Sequence, residues 1–88
     1  MKKRLVDPRD ISWEEDTPKF RVYFWDATSV TSYEYEVTDA CIDEVLHWAR
    51  SEAKEKDWKY TLYVKVSDPD GDGLVRIDGI AGDPFHQA

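Results

Sequence analysis

Asp68, Asp70 and Asp72 alternate within SDPDGDGLVRIDG, Ser67–Gly79. Alternating carboxylates are one way to surround a hard cation with oxygen. Aligned on an EF-hand loop, the three Asp fill positions 1, 3 and 5. Gly73 fills the tight-turn position, Leu74 offers its carbonyl, and Val75 takes the apolar position. The bidentate Glu of the pattern is missing, because Gly79 stands in its place and the nearest carboxylate is Asp78. Two readings follow. One is a weak, roughly millimolar calcium site on Asp68, Asp70, Asp72 and Leu74. The other is a hairpin turn, since Asp and Gly are what tight turns select and the flanks YTLYVKV and LVRI alternate as strands rather than helices.

Other reactive side chains are dispersed. Cys41 lies six residues before His47, about 600° around a helix, so the pair does not meet on one face. Asp43 and His47 share a face at four-residue spacing but lack the further ligands a metal needs. GxSxG, P-loop, GxGxxG and CxxC patterns are absent. The expectation is a protein that is not an enzyme and needs no cofactor, with calcium the one ion to test.

A second constellation comes from strand alternation. Arg21, Tyr23 and Trp25 fall on one side of KFRVYFWD. Lys59, Thr61, Tyr63 and Lys65 fall on one side of WKYTLYVKVS, and Glu34 and Glu36 on one side of YEYEV. Aromatics beside cations make interface anchors. They also make stacking platforms for single-stranded nucleic acid. The residues read as partner-binding are Arg21, Tyr23, Trp25, Tyr63 and Lys65, with a protein partner or a second copy as occupant. A solvated face of cross-strand ion pairs is the plainer alternative.

The elements that must carry these residues are legible. Strands are expected at Lys19–Asp26, Tyr33–Val37, Trp58–Ser67 and Gly73–Ile80. Ile42, Val45, Leu46, Ala49 and Ala53 repeat at helical spacing. The helix is expected to be capped by Thr38 or Asp39. Acidic residues in its first turns and Lys54 and Lys56 in its last complement the dipole. The β-β-α-β-β order predicts a two-layer α+β fold, one antiparallel four-stranded sheet with the helix on one face. Phe20, Val22, Phe24, Tyr33, Tyr35, Val37, Tyr60, Leu62, Val64, Val66, Val75 and Ile77 are the expected helix side. Residues 1–18 read as a flexible or extended arm in which Trp13 is the one large ring, 19–82 as one domain, and 83–88 as a tail that holds His86, with Phe85 covering the sheet edge.

Composition sets the bounds. The 88 residues carry a net charge of −7, and removing the three cations of Lys2, Lys3 and Arg4 leaves −10 on the remainder. An acidic body repels phosphate backbones, which argues against nucleic acid, and suits a basic partner. The thin core of so short a chain is supplied by four Trp, five Tyr and three Phe. The lone Cys41 suits a reducing cytoplasm, and no apolar run suggests a signal peptide or membrane span.

The stretches FRVYFW, YEYEVTDA, IDEVLHWA, YTLYVKV and GLVRIDGIAGDP together resemble a set of small, uncharacterised actinomycete-type bacterial proteins, from about Phe20 to Pro84. The resemblance implies a bacterial cytoplasmic protein. It brings no activity and no functional residue.

Overall fold

The structure, a computed structural model, describes residues 1–7, 9 and 17–85. Trp13 and His86 lie outside the described residues. The order is β1 (Phe20–Asp26), β2 (Thr31–Val37), α1 (Ile42–Lys56), β3 (Lys59–Asp68) and β4 (Gly71–Gly79). The strands form one antiparallel sheet in the order β2-β1-β3-β4. The α+β architecture is as the sequence predicts. Among the described residues no helix is long and apolar enough to cross a membrane.

Period-two alternation builds the core. Phe20, Val22 and Phe24 of β1 and Leu62 of β3 share a face, as their register requires (Val22 stands opposite Leu62). They are buried against Val45, Ala49 and Ala53 of α1. Small residues at 49 and 53 let the helix lie close to the sheet. Trp48 closes the β2 side, meeting Phe24 and Tyr35 edge-on, each at 5.2 Å. Tyr33 stacks on Trp58 at 4.9 Å.

The helix begins later than its sequence suggests. Cys41, with φ −87° and ψ 165°, is the N-cap, and Glu44 reaches back to accept its amide at 3.3 Å. Thr38 and Asp39 precede the cap. Asp39 has φ 56° and turns the chain toward the helix. At the other end Asp57 adopts the left-handed conformation. Its amide donates to Lys54 and that of Trp58 donates to Ala53 at 2.8 Å, the paired bonds of a Schellman stop. Trp58 is therefore spent on ending the helix, and β3 starts one residue later.

Hairpin β3–β4 departs most from a flat reading. The partners of Leu62 and Tyr63 are Asp78 and Arg76, so Ile77 is an extra residue in β4. This β-bulge shifts the alternation. Before it, Val75 opposes Val64 on the helix side and Leu74 opposes Lys65 on the open side; after it, Asp78 opposes Leu62 on the helix side. Val75 and Ile77, expected inside, are 54% and 45% exposed. The helix packs on β3 and β1 and meets β4 at Asp78 through Arg50, leaving Val75 and Ile77 uncovered. Val66, toward the far end of β3, is only half-buried.

Asp78 has a structural role in place of Ile77. Tyr60 donates its hydroxyl to Asp78 Oδ2 at 2.5 Å, and Arg50 Nη2 reaches the same oxygen at 3.0 Å. One carboxylate thus ties α1, β3 and β4 together.

Candidate functional site

The open face of the sheet divides into a covered end and an uncovered end. At the covered end Trp25 is only 4% exposed. Its indole N–H donates to Thr61 Oγ1 at 2.9 Å, and that hydroxyl donates to the carbonyl of Ile80 at 2.9 Å. Gly79, with φ 88°, bends the chain so that Ile80 bonds back to the Tyr60 carbonyl at 3.0 Å. The following residues cross the sheet and set Phe85 against Trp25 with ring centroids 6.0 Å apart. Two expectations are corrected here. Trp25 is a core residue on the second face, not an accessible contact, and Phe85 covers that face rather than a sheet edge. The segment reaching Phe85 is accordingly packed onto the domain.

Beyond Trp25, Tyr23 meets Trp25 at 5.6 Å and Tyr63 at 5.4 Å, both edge to face. The two tyrosines are half-buried, rigidly supported and still reachable. Arg21 and Lys65 flank them. Glu36 lies 3.7 Å from both cations, and Asp72 lies 3.5 Å from Lys65. Arg21 Nε is buried without a hydrogen-bond acceptor; Glu36 neutralises it from beyond bonding distance. A hydrogen bond from Ser67, then the charge of Lys65, holds the Asp72 carboxyl below its ordinary value. Arg21, Tyr23, Tyr63 and Lys65 are thus brought together, as their alternation predicts. The two cations are matched by carboxylates, so the face is not the bare cationic track that single-stranded nucleic acid follows.

Asp68, Asp70, Asp72 and Leu74 do not assemble into a cation cage. Asp68 pairs with Gly71 and Asp72 with Ser67 across the hairpin, leaving Pro69-Asp70 as a two-residue turn. Proline's negative φ forbids the mirror-image turns that match strand twist, and Gly71 at φ 134° absorbs the mismatch. Asp68 Oδ1 accepts the Asp70 amide at 2.8 Å, a turn-closing role. Asp72 and Leu74 are strand residues. Among the described residues no group of three His, Cys, Asp or Glu side chains is placed to hold a metal. Asp43 and His47 are exposed on the helix, and Cys41 is exposed at its N-cap.

Sequence reasoning missed the exposed edge. Among the described residues β4 pairs only with β3, and Leu74, Val75 and Ile77 are all exposed along it. Leu74 borders the Arg21–Lys65 hollow on the open face, together with Asp72 and Gly73. The missing cues were the strand order, which leaves β4 at an edge, and, for Ile77, the bulge; pattern alone reveals neither. No protein-family model matches the chain, and neither a curated protein nor a solved structure matches it.

Proposed function

We propose that the protein is a small acidic binding module, not an enzyme. It engages a protein partner, or a second copy of itself, through the open face around Tyr23 and Tyr63 and the adjoining β4 edge. The observation that carries this reading is the exposure of Leu74, Val75 and Ile77 on a nine-residue edge strand, next to two tyrosines held in place by ring contacts. Edge strands are normally blunted, and clustered apolar exposure beside them marks contact surfaces. Arg21 and Lys65 would orient the partner at the rim. A cytoplasmic setting and kinship with the small actinomycete-type proteins belong to the same proposal, supported by the lone cysteine and by the strand and helix motifs.

The test is affinity isolation with the full chain, its Leu74→Glu variant and its Tyr63→Ala variant, each checked for an unchanged fold by circular dichroism. The expected result is a specific complex with the parent that both variants lose. A complex that persists in both variants overturns this surface.

A further inference from the structure

The basic end of the chain is built unlike its body. Met1–Asp7 belongs to no helix or strand, and every residue in it is exposed, Leu5 completely. It carries Lys2, Lys3 and Arg4, followed by Leu5 and Val6, on a chain whose remainder bears a strong negative charge. The β4 side shows the complementary order. Asp68, Asp70 and Asp72 lead, and Leu74 and Val75 follow. Lys65 engages Asp72, whereas Asp68 and Asp70 form no ion pair among the described residues. The backbone there is open to approach, because a side chain placed at Gly71 or Gly73 would meet no atom within 4 Å.

We infer that Lys2–Val6 of one copy adds as a strand to the β4 edge of a second copy. The inference rests on the reading of β4 as a contact edge and names its occupant. The order of charges sets the direction. Cations meet Asp70 and Asp72 while Leu5 and Val6 meet Leu74 and Val75 only if the added strand runs parallel to β4. Edge addition supplies main-chain hydrogen bonds, and the side chains supply register. Two copies can exchange these segments reciprocally, which closes the assembly as a dimer.

The experiment is sedimentation equilibrium of the full chain at low and high salt, with three variants: Lys2→Glu/Lys3→Glu/Arg4→Glu, Asp70→Lys/Asp72→Lys, and Leu74→Glu. The expected result is a dimer whose association constant falls roughly tenfold or more from low to high salt. Each charge-reversed variant alone should be monomeric, and a mixture of the two should restore the dimer. A spin label on Lys2→Cys, in a Cys41→Ser background, should broaden amides of Gly71–Ile77 in an isotopically labelled second copy. A monomer at all concentrations, or a dimer that ignores the Lys2–Arg4 reversal, overturns the arm as occupant. If that surviving dimer is lost in Leu74→Glu, the β4 reading stands without the arm. If Leu74→Glu also leaves it intact, both readings fail.

Discussion

The indole N–H of Trp25 and the hydroxyl of Thr61 are joined at 2.9 Å across neighbouring strands, on the sheet face that the helix does not cover. Both residues are buried. The sheet therefore has a second, smaller core, roofed by the segment from Ile80 to Phe85. Replacing Trp25 by Phe removes the donor while Thr61 keeps its bond to Ile80. The expected cost is about 1–2 kcal/mol from one lost buried hydrogen bond and a small void. Thermal denaturation should show a drop of about 5–15 °C, and the dimer or complex should keep its affinity once the chain is folded. A variant of parental stability would mean that the roof does not form.

Gly79 makes that roof possible. A methyl group at this position would lie 2.2 Å from the Tyr60 carbonyl oxygen, and the residue has φ 88°. Arg76 Nη1 fixes the bend by donating to the Gly79 carbonyl at 2.9 Å. Gly79→Ala must therefore move backbone, not side chain. A destabilisation of at least about 2–3 kcal/mol is expected from the clash and the unfavourable φ together. Gly82→Ala is the control, with a similar φ of 79° but open space around it, and should cost clearly less by urea denaturation.

These features explain what the sequence conveyed and what it hid. Strand and helix identity followed from alternation in FRVYFW and from the Val45, Ala49, Ala53 stripe, because burial on one face imposes those periods. The Tyr23–Tyr63 grouping followed from the same alternation. Trp25 shared that alternation, yet its exposure depended on where a chain segment sixty residues away returns. The inward placement of Ile77 failed because Ile77 is itself the inserted residue, left without a partner, and the alternation resumes one position later. The Asp/Gly loop matched a ligand pattern locally, but its strand flanks set the carboxylates into a turn and a ladder. Periodicity reports local faces; it carries no information on returning segments or bulges.

Asp78 gives the fold a titratable fastening. The Tyr60 hydroxyl, assisted by the Gly79 amide and Arg50, holds its carboxyl below the ordinary value against the opposing effect of burial. Burial and the same carboxylate push Tyr60 upward. Because the folded value lies below the unfolded one, of about 4, stability from this carboxylate is complete at neutral pH. It is lost as pH falls below the unfolded value and through the folded one. Asp78→Asn should therefore be destabilised at pH 7 and nearly matched to the parent in strong acid, giving a shallower stability slope below about pH 4. Parallel slopes for the two proteins would contradict the assignment.

The helix ends hold reserves of stability. Asp57 is a non-glycine residue at φ 56° in a Schellman stop, where glycine is free of the Cβ penalty. Asp57→Gly should raise stability by about 0.5–1 kcal/mol. At the other end, Cys41 occupies a cap site that serine fills better, so Cys41→Ser should add about 0.5–1 kcal/mol. The substitutions sit at opposite ends of the helix, and their effects should add in chemical denaturation. Neither should change association, since neither touches β4 or the open face.

The acidic hairpin supplies the metal test. Asp68 closes its own turn through the Asp70 amide, and Asp72 is aligned across the strand pair toward Lys65. A cation would have to break that ladder to gather the three carboxylates, and no bidentate Glu compensates. The expected outcome is the same melting temperature in calcium and in chelator, with amide shifts no larger for calcium than for magnesium. Asp70→Asn, which removes one charge and retains the turn, should behave likewise. Saturable calcium shifts confined to Ser67–Gly79, abolished by Asp70→Asn, would instead show that the turn opens to bind the ion, and the β4 edge would then be a surface that calcium reshapes.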